Sequence, residues 1–347
     1  MQVAVTGGGG FIGSHVVDQL ILAGHDVRVI DVRPRWRNAR ATYLTVDLFD
    51  EAGLGAAVSG CAAVFHLAGA SNVNEVAADP VWAVRLNVEG TARVLEAARQ
   101  YGGGRVILAS TVWVYGAAQG VGELAEDFAV DLRSAGHVYV STKLAAELLV
   151  HSYKEMYGQD FTILRYGIPY GPRMREELVV ARFVRAVRES RPITIAGTGE
   201  QQRNYVYVED LADAHIRALA PVAAGQVLAL EGGTPVSVRE IADTVQELIG
   251  RVPVHYAPAR DADYQGVSVS NRAAKELLDW SPATPFAAGV RRYLDWLGWA
   301  GEPVAGGADT PQAPGRAPRG PEGPQRCPGA EDQPPEASEA PARGADK

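Results

Sequence analysis

The sequence has only two cysteines among its 347 residues, Cys61 and Cys327, and they lie far apart in the chain. Two such thiols cannot build the disulfide framework of a small secreted protein, so we expect a reducing, cytoplasmic location. No apolar run reaches the roughly 18 residues that a membrane span requires, and no basic segment precedes the first apolar stretch. We therefore expect neither a membrane association nor a signal peptide.

Basic residues are outnumbered, since 33 lysines and arginines face 41 acidic residues and give a net charge of −8. An acidic chain without a dense basic stripe argues against nucleic acid as the main partner, although it is compatible with a local basic pocket for an anionic small molecule. Residues 301–347 contain ten of the 21 prolines and no aromatic residue. Such a segment cannot bury enough apolar surface to offset its ordering entropy, so we predict a disordered tail over residues 300–347.

Short apolar runs alternate with stretches of helical periodicity through the first half of the chain. The predicted strands are Gln2–Thr6, Asp26–Ile30, Tyr43–Val46, Ala63–His66, Arg105–Ser110 and Phe161–Tyr166. The predicted helices are Ile12–Ala23, Ala52–Val58, Pro80–Tyr101 and Val140–Tyr157. This alternation predicts an α/β fold, a Rossmann-type doubly wound parallel sheet with helices on both faces.

After about Gly167 the alternation weakens, and we predict a smaller mixed α/β region that closes over the ligand crevice of the sheet. The predicted strands there are Ile193–Ile195 and Val227–Leu230, and the predicted helices are Leu178–Ser190, Val208–Ala220, Val238–Ile249, Asn271–Leu278 and Phe286–Leu297. The predicted division is a sheet domain over 1–166, to which 203–220 returns, and a substrate-binding region over 167–202 and 221–299.

Gly7, Gly10 and Gly13 follow the first strand with the spacing G-x-x-G-x-x-G and precede a helix. Glycines let the backbone approach a pyrophosphate, and a helix N-terminus offers free N–H groups to the anion. A glycine cluster alone is a weak signal, but its place between a strand and a helix predicts a dinucleotide cradle. Phe11 and Ile12 belong to this cradle.

Asp31 ends the second strand, where an acid accepts hydrogen bonds from the adenosine ribose and repels a 2′-phosphate. The cofactor is therefore predicted to be NAD, although Arg33 beyond the strand could recruit the phosphate of NADP. Asp47 directly follows the third strand and precedes Leu48. Its carboxylate could meet the adenine amino group, and an ordinary turn aspartate is nearly as good an interpretation.

Tyr139 and Lys143 stand four residues apart at the start of a predicted helix, so both lie on one face of it. A nearby ammonium lowers a phenol's pKa, which would let a tyrosinate take a proton near neutral pH. Ser110 and Thr111 end the fifth strand, and ligands of open α/β sheets bind at the carboxyl ends of strands. A hydroxyl there can hold a substrate oxygen near the tyrosine, or it can simply cap the strand end.

With these residues in place, the chain resembles the nucleotide-sugar epimerase/dehydratase branch of the extended short-chain dehydrogenase/reductase family, in particular UDP-glucose 4-epimerase. The resemblance covers about residues 1 to 298. The matching segments are Thr6–Gly13 (TGGGGFIG), His66–Gly69 (HLAG), Asn87–Thr91 (NVEGT), Ser110–Gly116 (STVWVYG), Tyr139–Lys143 (YVSTK), Leu164–Arg173 (LRYGIPYGPR) and Arg203–Asp210 (RNYVYVED).

The resemblance implies roles for the matching positions. It makes Tyr139 the proton-transferring residue, Lys143 the holder of the nicotinamide ribose and Thr111 the catalytic hydroxyl. It assigns cofactor contacts to Leu67, Ala68, Gly69, Asn87 and Tyr166. It assigns substrate contacts to Ser71, Thr111, Trp113, Arg203 and Arg260, the two arginines on the diphosphate of a nucleotide sugar. No metal is implied. A homodimer is implied, formed through the helices Pro80–Tyr101 and Val140–Tyr157.

Two departures from the family pattern narrow the chemistry. Dehydratases carry Asp-Glu directly after the catalytic Thr, and decarboxylases carry Glu at the second of these positions, but this chain has Val112 and Trp113, which cannot transfer protons. Oxidation at a carbinol and return of the hydride need neither acid, so a 4-epimerase is the predicted enzyme. Ile168 replaces the Asn that usually meets the substrate, so the substrate could be seated differently.

Three alternatives remain open from the sequence. A ketoreductase or dehydrogenase on the same fold would turn over NAD(P)H, and a dehydratase or decarboxylase would need another acid or base. A dinucleotide-sensing or scaffold protein could dispense with Tyr139 and Lys143, which are both present.

Overall fold

A seven-stranded parallel sheet forms the centre of the computed structural model, which describes residues 1–118, 122–134, 136–259 and 268–299. The strands are β1 (Gln2–Thr6), β2 (Asp26–Ile30), β3 (Thr42–Leu44), β4 (Ala63–His66), β5 (Arg105–Thr111), β6 (Phe161–Tyr166), β7 (Ile168–Tyr170), β8 (Ile193–Ala196), β9 (Gln202–Tyr207), β10 (Gln226–Leu230), β11 (Pro235–Ser237) and β12 (Val254–Ala257). The order across the central sheet is β10-β6-β5-β4-β1-β2-β3, with every neighbouring pair parallel.

Helices cover both faces of this sheet. The helices are α1 (Phe11–Leu22), α2 (Glu51–Val58), α3 (Val73–Ala78), α4 (Pro80–Val84), α5 (Gly90–Tyr101), α6 (Val138–Tyr157), α7 (Val179–Arg188), α8 (Val208–Arg217), α9 (Val238–Ile249), α10 (Arg272–Leu278) and α11 (Phe286–Trp296). Side chains alternate along β1, so Val3 and Val5 pack under α1 and α8 whereas Ala4 packs under α2, α5 and α6. The predicted doubly wound fold is confirmed.

The smaller region has two sheets of its own. β11 pairs antiparallel with β9, β9 pairs parallel with β7, and β12 pairs parallel with β8. These strands pack with α7, α9 and α11 around a separate apolar core. Gly232 follows β10 and is packed closely against β9, because a Cβ there would lie 2.0 Å from the carbonyl oxygen of Tyr205.

Three segments lie elsewhere than the predicted division placed them. Strand β10 belongs to the central sheet, where it pairs with β6, and α10 packs on it, although 221–299 was assigned to the substrate-binding region. Residues 203–220 divide between the two regions, because β9 joins the small sheet whereas α8 packs on α1. Neighbouring elements in the chain therefore alternate between regions, which a boundary drawn from periodicity cannot capture.

Some element predictions also need correction. The predicted helix Pro80–Tyr101 is α4 and α5 joined by a π-helical turn over Arg85–Glu89. α6 begins at Val138, so Tyr139 lies inside its first turn. α3, β7, β9, β11 and β12 were not predicted, because most of them are too short to show a period. The predicted tail over 300–347 and the predicted substrate contact Arg260 lie outside the described residues.

Among the helices that the structure describes, none has both the length and the apolar composition to cross a bilayer.

Two glycines before β5 offer a matched test of close packing. Gly102 and Gly104 both have left-handed backbone, with φ of 69° and 61°, but a Cβ at Gly102 meets open space whereas one at Gly104 lies 2.1 Å from the carbonyl oxygen of Ala62. We expect Gly102→Ala to lower the free energy of unfolding by about 1 kcal/mol through backbone strain alone. Gly104→Ala should lower it by about 2 to 5 kcal/mol, because steric overlap is added. Urea denaturation measures both, and equal losses would contradict this account.

Candidate active site

The loop between β1 and α1 is packed against backbone on two sides. Gly7 has φ of 68°, and a Cβ there would lie 2.7 Å from the amide nitrogen of Ala68. A Cβ at Gly13 would lie 2.3 Å from the carbonyl oxygen of Gly7. Only glycine fits at these two positions, and the loop after β4 is thereby held directly against the glycine loop.

The N-terminus of α1 is free of side-chain capping. Gly10 is the N-cap residue and offers no side chain to the amides of the first turn, which contains no acidic residue either. Uncapped N–H groups together with the helix dipole form a site suited to an anion. The cradle therefore fits the pyrophosphate of a dinucleotide, and Phe11, Ile12 and Gly13 would present their amides to it.

Asp31 lies beside this loop. Its Oδ2 accepts a hydrogen bond from the amide of Gly9 at 3.0 Å, and its Oδ1 accepts one from the amide of Arg33 at 2.9 Å. A carboxylate has further acceptor capacity, so these contacts fix the side chain without blocking a ribose. Asp47 is exposed and accepts from the amide of Phe49 at 3.0 Å, a contact that favours the turn interpretation. Its contact with adenine, and that of the buried Leu48, stay predictions.

Thr111 and Tyr139 meet at the carboxyl edge of the sheet. Thr111 is the last residue of β5, and its hydroxyl lies close enough to the phenol of Tyr139, in the first turn of α6, to act against the rise of that phenol's pKa. The ring nitrogen Nδ1 of His137, the N-cap residue, accepts from the amide of Tyr139 at 3.0 Å and fixes the start of the helix. The structure thus brings the two predicted catalytic oxygens together.

Burial governs the titration of this pair of helical residues. It raises the pKa of Tyr139 to about 12, while the Thr111 hydroxyl and the charge of Arg175 act in the opposite direction. It lowers the pKa of Lys143 to about 8, against the charge of Glu147. The groups that favour the phenolate here are Thr111 and Arg175, so the expected lowering of the phenol's pKa by Lys143 is not what this structure gives.

Lys143 instead points along the strand end toward the cofactor loop. Its Nζ donates to the carbonyl oxygen of Ala109 at 3.0 Å. A Cβ at Gly69 would lie 3.7 Å from the same Nζ. The same Cβ would lie 2.8 Å from Oδ1 of Asn87. The structure therefore brings the predicted cofactor residues Gly69, Asn87 and Lys143 together, next to Leu67 and Ala68.

Asn87 holds this arrangement in place. It lies in the π-helical turn, a distortion that is frequent at functional sites, and is buried. Its Oδ1 accepts from the amide of Ala70 at 2.7 Å, and its Nδ2 donates to the carbonyl oxygen of Ala70 at 3.0 Å and to Oγ1 of Thr142 at 2.9 Å. One amide side chain thus joins the cofactor loop to the helix that carries Tyr139 and Lys143.

Tyr166, predicted to be close to the cofactor, belongs to the core under α8. Its hydroxyl forms a hydrogen bond of 2.6 Å with Nε2 of His215, whose Nδ1 lies 2.8 Å from the carbonyl oxygen of Leu211. A carbonyl only accepts, so Nδ1 carries the proton and Tyr166 donates to Nε2. The charge state of Tyr139 acts on Tyr166, so the two phenols are neighbours, but the Tyr166 hydroxyl is already bound within the protein.

The predicted substrate residues are more scattered. The indole of Trp113 lies edge-on to the ring of Tyr139, with centroids 6.0 Å apart, so it borders the reacting position. Ser71 is exposed ahead of α3, and Arg203 is buried in β9, where it donates to the carbonyl oxygen of Gln202 at 2.8 Å. Ile168 starts β7 and packs against the second core, as an apolar side chain would.

Sequence reasoning missed two charged residues at the site, Arg175 and Glu147. Arg175 lies in the irregular segment between β7 and α7, where no periodicity or spacing singles it out. Glu147 does carry a signal, since it follows Lys143 by the same four residues that separate Lys143 from Tyr139.

Comparison with known proteins gives consistent results. The family model described as NAD dependent epimerase/dehydratase family matches residues 3–229. The UDP-glucuronate 4-epimerase of Thermodesulfobacterium geofontis is 31% identical over 310 residues, which are 84% of this chain and 94% of the relative.

Two solved structures are also similar along most of their length. The UDP-glucose 4-epimerase of Thermotoga maritima with UDP-glucose superposes with a TM-score of 0.80 at 29% identity, covering 86% of this chain and 98% of its own. The UDP-glucuronic acid 4-epimerase of Bacillus cereus, in complex with UDP-glucuronic acid and NAD, gives 0.78 at 26%, covering 86% and 99%.

These findings confirm the predicted fold, the resemblance drawn from the motifs, the NAD cofactor and the predicted class of enzyme, a nucleotide-sugar 4-epimerase. The model of the family spans well over half of the sequence. The chain belongs to the NAD dependent epimerase/dehydratase family.

Proposed function

We propose that this protein interconverts UDP-sugars that differ in configuration at C4, with Thr111, Tyr139 and Lys143 as its catalytic residues. The observation that carries the proposal is the placement of the Thr111 hydroxyl near the Tyr139 phenol, where β5 ends and α6 begins. The nucleotide is proposed from the relatives, whose names include UDP-glucose and UDP-glucuronate.

The residues divide the work as follows. The C4 hydroxyl of the sugar binds between Thr111 and Tyr139. Tyr139 acts as the phenolate, the form that Thr111 and Arg175 favour, and takes the hydroxyl proton as the C4–O bond becomes a carbonyl. When bound in the cradle, NAD would supply the hydride acceptor for oxidation at C4 and the hydride donor for reduction of the ketone. Tyr139 then returns the proton to the C4 oxygen, so neither protons nor electrons are consumed. Lys143, which is cationic below a pKa of about 8, holds the nicotinamide ribose.

A dehydrogenase with net turnover of the cofactor is the second candidate. Elimination and decarboxylation are disfavoured by the two residues that follow Thr111. Val112 and Trp113 follow Thr111, and Val112 is buried. Neither can move a proton to or from C5 or C6. A dehydrogenase would use the same three catalytic residues, so the stoichiometry of the cofactor separates the two reactions.

The proposal is tested by incubating the purified protein and NAD with UDP-glucose, UDP-galactose, UDP-glucuronate and UDP-galacturonate, with product analysis. We expect C4 epimers to form without net formation of NADH. Tyr139→Phe should slow turnover by roughly a hundred- to ten-thousand-fold, because proton transfer is lost, with NAD affinity changed less than about twofold. Stoichiometric NADH would support the dehydrogenase, and an active Tyr139→Phe enzyme would contradict the assigned base.

The positive charge of Arg175, which lies near the Tyr139 phenol, indicates which class of sugar the site prefers. Arg175 is half-buried and close enough for its charge to lower the pKa of Tyr139. A guanidinium at that place can bind a carboxylate through charge-assisted hydrogen bonds, and a neutral hexose gives it no such partner. We therefore propose a UDP-hexuronate as the preferred substrate.

Arg175→Met tests this preference. We expect the KM for UDP-glucuronate to rise by roughly 10- to 100-fold, the contribution of one charge-assisted hydrogen bond, and the KM for UDP-glucose to change less than about twofold. Arg185→Met, an exposed arginine in α7 that pairs with Glu176, is the matched control and should change neither. Equal effects on both substrates would overturn the uronate preference and leave the epimerase proposal intact.

We also propose that the enzyme is a cytoplasmic homodimer, with 167–202 and the small sheets holding the sugar. Apolar side chains on the two helical segments that the resemblance assigns to the interface support a dimer. Val81 in α4 is 78% exposed and Leu148 in α6 is 64% exposed. Side chains of this kind are usually covered by a partner when they form a contiguous patch.

Leu148→Glu should convert the dimer to a monomer, because a carboxylate would be buried without a partner in the interface. Sedimentation velocity measures the mass. Leu22→Glu, on α1 at the other face of the sheet and 73% exposed, is the control and should leave the mass unchanged. A wild-type protein that sediments as one chain would refute the dimer.

A further inference from the structure

Glu147 continues the stripe of site residues along α6. Tyr139, Lys143 and Glu147 follow one another at intervals of four residues, so they lie on one face of the helix. This face meets the carboxyl ends of β5 and β6. Glu147 is 4% exposed, so its carboxylate is almost fully removed from solvent.

The carboxylate of Glu147 is held from both strands. Its Oε1 accepts a hydrogen bond from Oγ of Ser110. Arg165 donates twice, from Nε to Oε1 at 3.0 Å and from Nη2 to Oε2 at 2.6 Å. Ser110 precedes Thr111 in β5, and Arg165 precedes Tyr166 in β6. Arg165 also donates to the hydroxyl of Tyr115, which donates to the carbonyl oxygen of Glu126 at 2.6 Å. The carboxylate is therefore fixed directly behind the catalytic threonine.

The buried ion pair of Glu147 and Arg165 needs an explanation other than its contribution to stability. Removing two charges from water costs several kcal/mol per ion, and apolar residues of the same volume are often as stable. A buried ion pair one helical turn from the partly buried ammonium of Lys143 suggests an electrostatic role.

The titratable groups around Lys143 come from several elements. Glu147 on α6 and His66 in β4 interact with Lys143 electrostatically. Arg165 in β6 pairs with Glu147, and Arg175 and Tyr166 interact with Tyr139, four residues before Lys143 on α6. Burial lowers the pKa of His66 to about 3, so its ring is neutral. The two phenols are neutral too, since burial raises both pKa values. Among the described residues, Glu147 is the anion whose charge acts on Lys143.

We propose that Glu147 is a positioning residue for catalysis: its carboxylate, held by Ser110 and Arg165, keeps the Lys143 side chain cationic and fixed on the carbonyl of Ala109. The ribose of the cofactor is then met by an ammonium at and above neutral pH. The inference rests on the role of Lys143 in the proposed function.

The test measures Lys143 directly. The chain has four lysines, at positions 143, 154, 275 and 347, so competitive acetylation at a series of pH values, read by mass spectrometry, reports the titration midpoint of each. In Glu147→Gln, which keeps the size of the side chain, we expect the Lys143 midpoint to fall by about one pH unit or more. Lys154, partly exposed and paired with Asp160, is the internal reference, and its midpoint should not move.

Cofactor affinity gives a second readout. For Glu147→Gln we expect the affinity for NAD to fall about tenfold or more at pH 8.5 and to change less than about twofold at pH 6.5, because Lys143 loses its charge only in the first condition. Arg165→Gln breaks the same ion pair but keeps the carboxylate. In Arg165→Gln the titration midpoint of Lys143 should stay or rise, whereas it should fall in Glu147→Gln. If Glu147 has a purely structural role, both variants should lose thermal stability and their Lys143 midpoints should not move in opposite directions.

The double variant Glu147→Leu/Arg165→Met keeps the proposal testable if the single variants do not fold, because no buried charge is left unpaired. Its Lys143 midpoint should fall, by less than in Glu147→Gln because the repulsion from Arg165 is removed as well, and an unchanged midpoint would overturn the proposal. Glu147→Asp, which retains the carboxylate, should restore most of the wild-type midpoint. Since acetylation requires no sugar nucleotide, a protein without epimerase activity but with a shifted midpoint would refute the proposed function and not this inference.

Discussion

The site depends on a chain of buried hydrogen bonds that crosses the sheet from β1 to α6. Nδ1 of His66 lies 2.8 Å from the hydroxyl of Thr6, and its Nε2 lies 3.1 Å from the hydroxyl of Thr91, which donates to the carbonyl oxygen of Asn87 at 2.6 Å. Because Thr91 uses its proton on that carbonyl, Nε2 of His66 donates and Nδ1 accepts. The Asn87 side chain then continues to Thr142.

Each link of this chain also positions a functional segment. Thr6 accepts from the amide of Ala68 at 3.2 Å, and Thr142 donates to the carbonyl oxygen of Tyr139 at 2.8 Å. The glycine loop, the cofactor loop and the start of α6 are therefore fixed relative to one another by groups that are all buried. A satisfied buried network of this kind rigidifies its surroundings, since every unmade bond would leave a polar group without water. The cradle and the phenol are thus held in register before any ligand arrives.

The sequence was sufficient to predict the parallel sheet, the glycine loop between a strand and a helix, and the placement of Thr111 near Tyr139, because each has a local signature: a period, a spacing or a strand end. The sequence was insufficient where packing between distant segments determines strand pairing or the environment of a side chain. Strand β10 joins β6 across the sheet although about 60 residues separate them, and only the assembled edge reveals that pairing. The phenol's environment was also misjudged, because desolvation and the charge of Arg175 come from segments far away in the chain. Spacing along a helix gives neighbours on that helix and nothing of what packs against it.

The close contact of β9 with Gly232 has a consequence for how the enzyme handles its ligands. The carbonyl oxygen of Tyr205 leaves no room for a side chain at Gly232, and β9 is hydrogen-bonded on both sides within its own small sheet. A hinge needs a few residues whose dihedral angles are free to change. The packing around β9 restricts these angles, so it does not act as a hinge. We therefore expect sugar nucleotides to enter and leave by rearrangement of surface segments, while the two cores keep their relative positions.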